Sequence, residues 1–101
     1  MKRELKDRWL ADLRSGEYVQ GTGSFEYEEA GQTRTCCLGV LCHSADVPVC
    51  GYDPDRDNYE FVESEEALSW DQARSLWHKN DVDRATFYEI ADWIEANVHA
   101  S

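Results

Sequence analysis

One apolar run, Cys36-Cys37-Leu38-Gly39-Val40-Leu41-Cys42, interrupts a chain that is otherwise polar and strongly acidic. Any fold open to this chain has to bury that run, so the other elements must be arranged around it. By length alone the run fits a strand or a helix. Leu38, Leu41, Cys42 and Ala45 recur at i, i+3, i+4 and i+7, which predicts a short buried helix from 36 to about 45. Gly39 in its middle costs about 1 kcal/mol relative to Ala, and its presence there implies close packing against a neighbour.

The flanking segments alternate between the two periods. Residues 3–15 place Leu5, Trp9, Leu10 and Leu13 on one helical face, and Gly16 supplies the stop. Ser24-Phe25-Glu26-Tyr27-Glu28 then alternates as a half-buried strand does. Glu29-Ala30-Gly31-Gln32 has turn chemistry, and Thr33-Arg34-Thr35 returns as the second strand of a hairpin. Residues 46–58 hold both prolines and read as loop, after which Tyr59-Glu60-Phe61-Val62-Glu63 alternates again and predicts a third strand. Ser69 with Gln72, and Thr86 with Glu89, have capping-box spacing and open helices over 70–78 and 86–98. The first is expected to turn Trp70, Ala73, Leu76 and Trp77 inward. The second carries the stripe Phe87, Ile90, Ala91, Ile94 and Val98. The expected fold is α+β. It is one compact domain over 1–101, with an N-terminal helix, a short antiparallel sheet of about three strands, a short central Cys-rich helix and two C-terminal helices. A chain of this size buries roughly two-thirds of its unfolded surface, enough for a core without staples.

Charge sets the function classes. Asp and Glu number 21 against 10 Lys and Arg, a formal net charge of -11. Residues 1–50 hold 8 acids and 6 bases, whereas residues 51–101 hold 13 acids and 4 bases. The first fifteen residues are the cationic exception, with five bases against three acids, and are expected to pair with the acidic half. Such a field repels nucleic acid and anionic membrane and attracts basic protein surfaces or cations. No stretch approaches the ~18 apolar residues that span a bilayer. The basic start Met1–Arg8 lacks the apolar stretch of a signal peptide, so a cytoplasmic setting with reduced cysteines is expected.

The candidate sites divide by chemistry. Cys36, Cys37, Cys42 and Cys50 lack the paired spacing of a zinc site and read as small buried apolar side chains. Cys42 beside His43 is not how a nucleophile and its base are usually presented, and apolar, acidic surroundings raise a thiol's pKa. No catalytic residue and no cofactor is expected. Asp53, Asp55 and Asp57 match the first, third and fifth positions of a calcium loop, but Ser64 stands where a bidentate Glu is needed and no helix precedes the loop. That incomplete ligand set favours a solvated acidic turn over a metal site. Glu26, Glu28, Glu29, Asp53, Asp55, Asp57, Glu60, Glu63, Glu65 and Glu66 then remain as a negative surface. Spaced carboxylates of this kind imitate a phosphate backbone, which carries one charge per about 1.7 Å of duplex axis. Tyr27, Tyr52 and Tyr59 are the aromatic residues among them that could anchor a partner.

Three blocks carry a resemblance: Trp9-Leu10-Ala11-Asp12-Leu13-Arg14-Ser15-Gly16-Glu17-Tyr18 with Gln20-Gly21, the 36–42 run, and Phe87-Tyr88-Glu89-Ile90-Ala91-Asp92-Trp93-Ile94-Glu95. Together they resemble a family of small phage and prophage proteins. The resemblance implies phage origin and a host cytoplasmic setting, and it implies no enzyme. The expectation is an anti-defence inhibitor of anti-CRISPR type. Its partner would be a host nucleic-acid-binding defence complex, with no direct nucleic-acid or membrane binding. A cation-binding accessory protein using Asp53, Asp55 and Asp57 is the alternative.

Overall fold

The apolar run forms helix α2 (Cys37–Ser44), and in the computed structural model, which describes residues 1–101, every residue from Cys37 through Cys42 is buried. Helix α1 (Arg3–Arg14) lies against it through Trp9, Leu10 and Leu13. Helices α4 (Trp70–Asp81) and α5 (Phe87–Asn97) close the other sides, each opened by the expected capping box. A four-residue helix α3 (Tyr59–Val62) and a three-stranded sheet complete the domain. The architecture is α+β, as the alternating periods predicted, and no helix is long and apolar enough to cross a membrane.

The sheet departs from the prediction in one respect. Strands β2 (Glu26–Glu29) and β3 (Gln32–Thr35) form the expected antiparallel hairpin, with Ala30 and Gly31 both at positive φ (52° and 78°), as a two-residue turn requires. The third strand is β1 (Val19–Gln20), which pairs with β3 in parallel. Residues 59–63, expected in that role, are helical. The Asn58 side chain accepts the Phe61 N–H and starts a helical turn, and Val62 goes into the core. Alternation over five residues fits a turn of helix equally well, and the cap decides.

Gly39 is where the sheet meets α2. A Cβ there would lie 2.8 Å from Thr35 Cγ2 and 3.0 Å from the Phe25 carbonyl carbon, with the carbonyl oxygen nearer still. The predicted close approach is thus between the helix and the backbone at Phe25, the residue that leads into β2.

Two polar devices fix α2 in place. Its N-terminal cap, Cys36, offers no side-chain hydrogen bond. Asn80, 1% exposed, supplies one from α4: its Oδ1 accepts the Cys37 N–H (3.2 Å) and the Gln20 side-chain amide (2.9 Å). Its Nδ2 donates to the Gly21 carbonyl (2.8 Å) and to Asp81 Oδ1 (2.7 Å). All four hydrogen-bonding positions of this buried amide are used. At the other end, Arg8 Nη1 donates to the Ser44 carbonyl (2.8 Å), while Lys6 Nζ serves the Glu95 carbonyl in the last turn of α5 (3.2 Å). Cations at helix C-termini satisfy open carbonyls and oppose the helix dipole. Arg14 adds ion pairs to Asp92 (2.9 Å) and Glu95 (2.7 Å), so the basic N-terminal helix pairs with the acidic half as its charge suggested.

Replacing Asn80 by Asp keeps the volume and the acceptor but turns the donor into an oxygen facing a carbonyl and a carboxylate. We expect Asn80→Asp to lower the denaturation free energy by about 2 kcal/mol, read from urea midpoints at neutral pH.

Candidate functional site

The acidic residues sort into three groups by what their carboxylates do. Glu26 and Asp57 work inside the fold. Glu26 Oε1 meets His43 Nε2 at 2.9 Å, and Asp57 Oδ1 accepts the Phe25 N–H at 3.0 Å, which holds the entry to β2 against the 50–58 loop. Glu28 and Glu29 sit on the hairpin, where Glu28 accepts from Thr33 Oγ1 and Glu29 lies 3.5 Å from Arg34. The third group comprises Asp53, Asp55, Glu60, Glu63, Glu65 and Glu66, all exposed and none in an ion pair. Asp53 also accepts the Asp55 N–H at 3.0 Å in a local turn. Four of the ten carboxylates are thus engaged within the fold and six are not.

Asp57 is turned to Phe25, and no group of three His, Cys, Asp or Glu side chains converges on a metal-sized space anywhere in the domain. The same finding applies to the cysteines. Cys36, Cys37 and Cys42 are buried and free, and Cys50 is free and exposed. Burial pushes the Cys36 and Cys42 thiols up to about 12, and the Cys37 thiol also upward, with nearby acids adding to the shift. That is the reverse of thiolate activation.

Helix α4 carries aromatic residues that the sequence placed on the wrong side. Its buried face is Ala73, Leu76 and Asn80; Trp70 and Trp77, expected inward, are 57% and 37% exposed. They line a groove with Tyr59 and Glu63 of the α3 segment, floored by Ala73 and edged by Arg74. The Arg74 guanidinium lies over the Trp70 ring, 4.6 Å from its centroid. Partial burial, with neighbouring acids, pushes the Tyr59 hydroxyl up to about 12. Glu60, Glu65 and Glu66 line a second depression with Asn58, Phe61 and Ser64. Of the tyrosines named as anchors, Tyr52 is fully exposed, Tyr59 is in the groove, and Tyr27 is half-buried with its hydroxyl accepting the Thr22 N–H (3.3 Å).

The structure thus defines a small α+β domain with seven carboxylates and one arginine between residues 53 and 66, around a short helix and beside a ring-lined groove. A family model described as a domain of unknown function (DUF8296) matches residues 1–49. That span covers α1, the sheet and α2; the acidic segment and the groove lie beyond it. No curated protein matches the chain. No solved structure matches it either.

Proposed function

We propose that this chain is a non-enzymatic binding protein that occupies a basic, phosphate-binding surface of a protein partner by imitating nucleic-acid charge. The observation that carries the reading is the uncompensated field between residues 53 and 66. Six of its carboxylates are exposed without an ion pair, against a single base in the segment, Arg56, while six of the other nine Lys and Arg of the chain are engaged elsewhere. Arg14 holds Asp92 and Glu95, Arg34 lies by Glu29, Lys6 and Arg8 serve helix ends, and Arg74 and Lys79 lie over tryptophan rings. Charge left unpaired across one segment of a small domain steers a partner of opposite sign and excludes phosphates. In the phage setting implied by the resemblance of the three sequence blocks, the partner is a host nucleic-acid-binding defence complex and the protein is an anti-defence inhibitor of anti-CRISPR type.

The test is affinity capture from a bacterial host lysate at low and moderate salt, with a charge-reversed control. Asp53, Asp55, Glu60 and Glu63 are changed to Lys together; Asp57 is left alone because it holds the Phe25 N–H. We expect a stoichiometric nucleic-acid-binding protein that is released as salt rises, displaced by added duplex DNA and absent with the reversed variant. Retention of the same partner by the folded reversed variant, or no partner at either salt, overturns the proposal.

A further inference from the structure

Three aromatic side chains on one groove beside an exposed carboxylate form a recognisable chemical device. Tyr59 opens α3 and Glu63 is its C-terminal cap residue, and Trp70, Arg74 and Trp77 come from the outward face of α4. The spacing 70, 74, 77 is that of one helical face. These rings are not core overflow, since the inward face of α4 is complete without them in Ala73, Leu76 and Asn80. A helix that leaves two tryptophans half-exposed keeps apolar area that water disfavours, which marks an interaction surface when the rings are contiguous.

Charge and ring geometry select the occupant. The groove already accommodates one guanidinium, that of Arg74 over Trp70 at 4.6 Å. Glu63 stands at its edge with no cation of its own, and Glu60, Glu65 and Glu66 follow on the next depression. Flat indole faces beside a carboxylate suit a planar guanidinium, which stacks and donates two parallel hydrogen bonds, better than a compact ammonium. An aliphatic partner segment would strand Glu63 against an apolar surface, and a phosphate would meet repulsion from four carboxylates. We propose that the Tyr59–Trp70–Trp77 groove is an arginine-binding slot, taking a guanidinium from the partner's basic surface between Trp77 and Glu63. This rests on the acidic-surface reading and adds an anchor to it: surface charge sets the encounter, and the slot sets which residue is held.

The probe is a capped hexa-arginine peptide, with capped hexa-lysine as the charge-matched control. Binding is followed by calorimetry and by the indole N–H resonances of the four tryptophans. Hexa-arginine is expected to shift Trp70 and Trp77 while leaving buried Trp9 unmoved, and to bind about fivefold or more tighter than hexa-lysine. Trp70→Ala with Trp77→Ala, which leaves net charge unchanged, should remove that preference, and Glu63→Gln should weaken arginine binding several-fold beyond Glu65→Gln. Binding confined to the amides of residues 60–66, with equal affinity for both peptides, overturns the slot and leaves the acidic-surface reading standing. Absence of binding by either peptide at low salt overturns both.

Discussion

Gly39→Ala is expected to destabilise the domain by about 3 kcal/mol or more, although Ala is the better helix former by about 1 kcal/mol. Propensity is a local term and here it loses. The added methyl would be driven against the Phe25 carbonyl and within 2.8 Å of Thr35 Cγ2, and the first of these is backbone, which no rotamer change relieves. That carbonyl also accepts the Cys36 N–H at 2.9 Å, the bond that leads the chain from β3 into α2. Moving the strand away therefore lengthens that hydrogen bond and disturbs the Asp57 contact with the Phe25 N–H. At about 4–8 °C per kcal/mol for a domain of this size, the melting temperature should fall by 12 °C or more, to order of magnitude. Gly16→Ala is a useful contrast. No atom lies within 4 Å of a Cβ at Gly16, whose cost would come from its φ of +78° alone. A Gly39→Ala variant that melts with or above the parent would show that α2 and the sheet are not locked together in solution.

Much of this fold was readable because the relevant signals are short-range. Both capping boxes are set by two residues three apart, and both helices begin where the pattern puts them. The close approach at Gly39 was implied by a helix-weakening residue in the most apolar part of the chain. Besides the helical turn at 59–62, three features were not readable, each for a physical reason. Val19–Gln20 is a two-residue strand whose pairing with Arg34 and Thr35 is set by a loop fold, so nothing local marks it. The inward side of α4 was not readable because the pattern ends the helix at 78, whereas it runs to Asp81 and turns the polar Asn80 into the core. A hydrophobic count rotates the buried stripe toward Trp70 and Trp77, whereas four hydrogen bonds make the amide the better core residue. Among the carboxylates, exposure at 60, 63, 65 and 66 followed from composition. The inward work of Glu26 and Asp57 depends on His43 and on the Phe25 N–H, which no spacing reveals. The acidic half of the candidate site was thus legible, and of its aromatic half only Tyr59 was.

Alkaline pH should unfold this protein through its buried thiols. Cys36 and Cys42 move from an ordinary 9.0 to about 12 in the folded state, and Cys37, fully buried, moves the same way. Each acid is thus held in its neutral form by folding. Below pH 9 both states keep these protons and stability does not depend on them. Between about 9 and 12 the unfolded chain releases protons that the folded chain retains, so the unfolded state binds fewer and stability falls as pH rises. The slope approaches about 1.4 kcal/mol per pH unit for each thiol, or about 3 kcal/mol per unit for Cys36 and Cys42 together, with Cys37 acting in the same direction. Over the three units from 9 to 12 that removes roughly 8 kcal/mol, comparable with a typical stability of about 5–15 kcal/mol. Tyr59, raised to about 12 by burial, acts in the same direction at the upper end. The check is a series of urea denaturations from pH 7 to 11 on the parent and on Cys36→Ala and Cys42→Ala. Each substitution lowers stability at pH 7 by removing core volume, but each should also flatten the alkaline slope by about one thiol's share. Iodoacetamide labelling run alongside should modify Cys50 alone below the transition and all four cysteines beyond it. A slope unchanged by both substitutions would mean that the alkaline transition belongs to other groups and that the core opens before its thiols ionise.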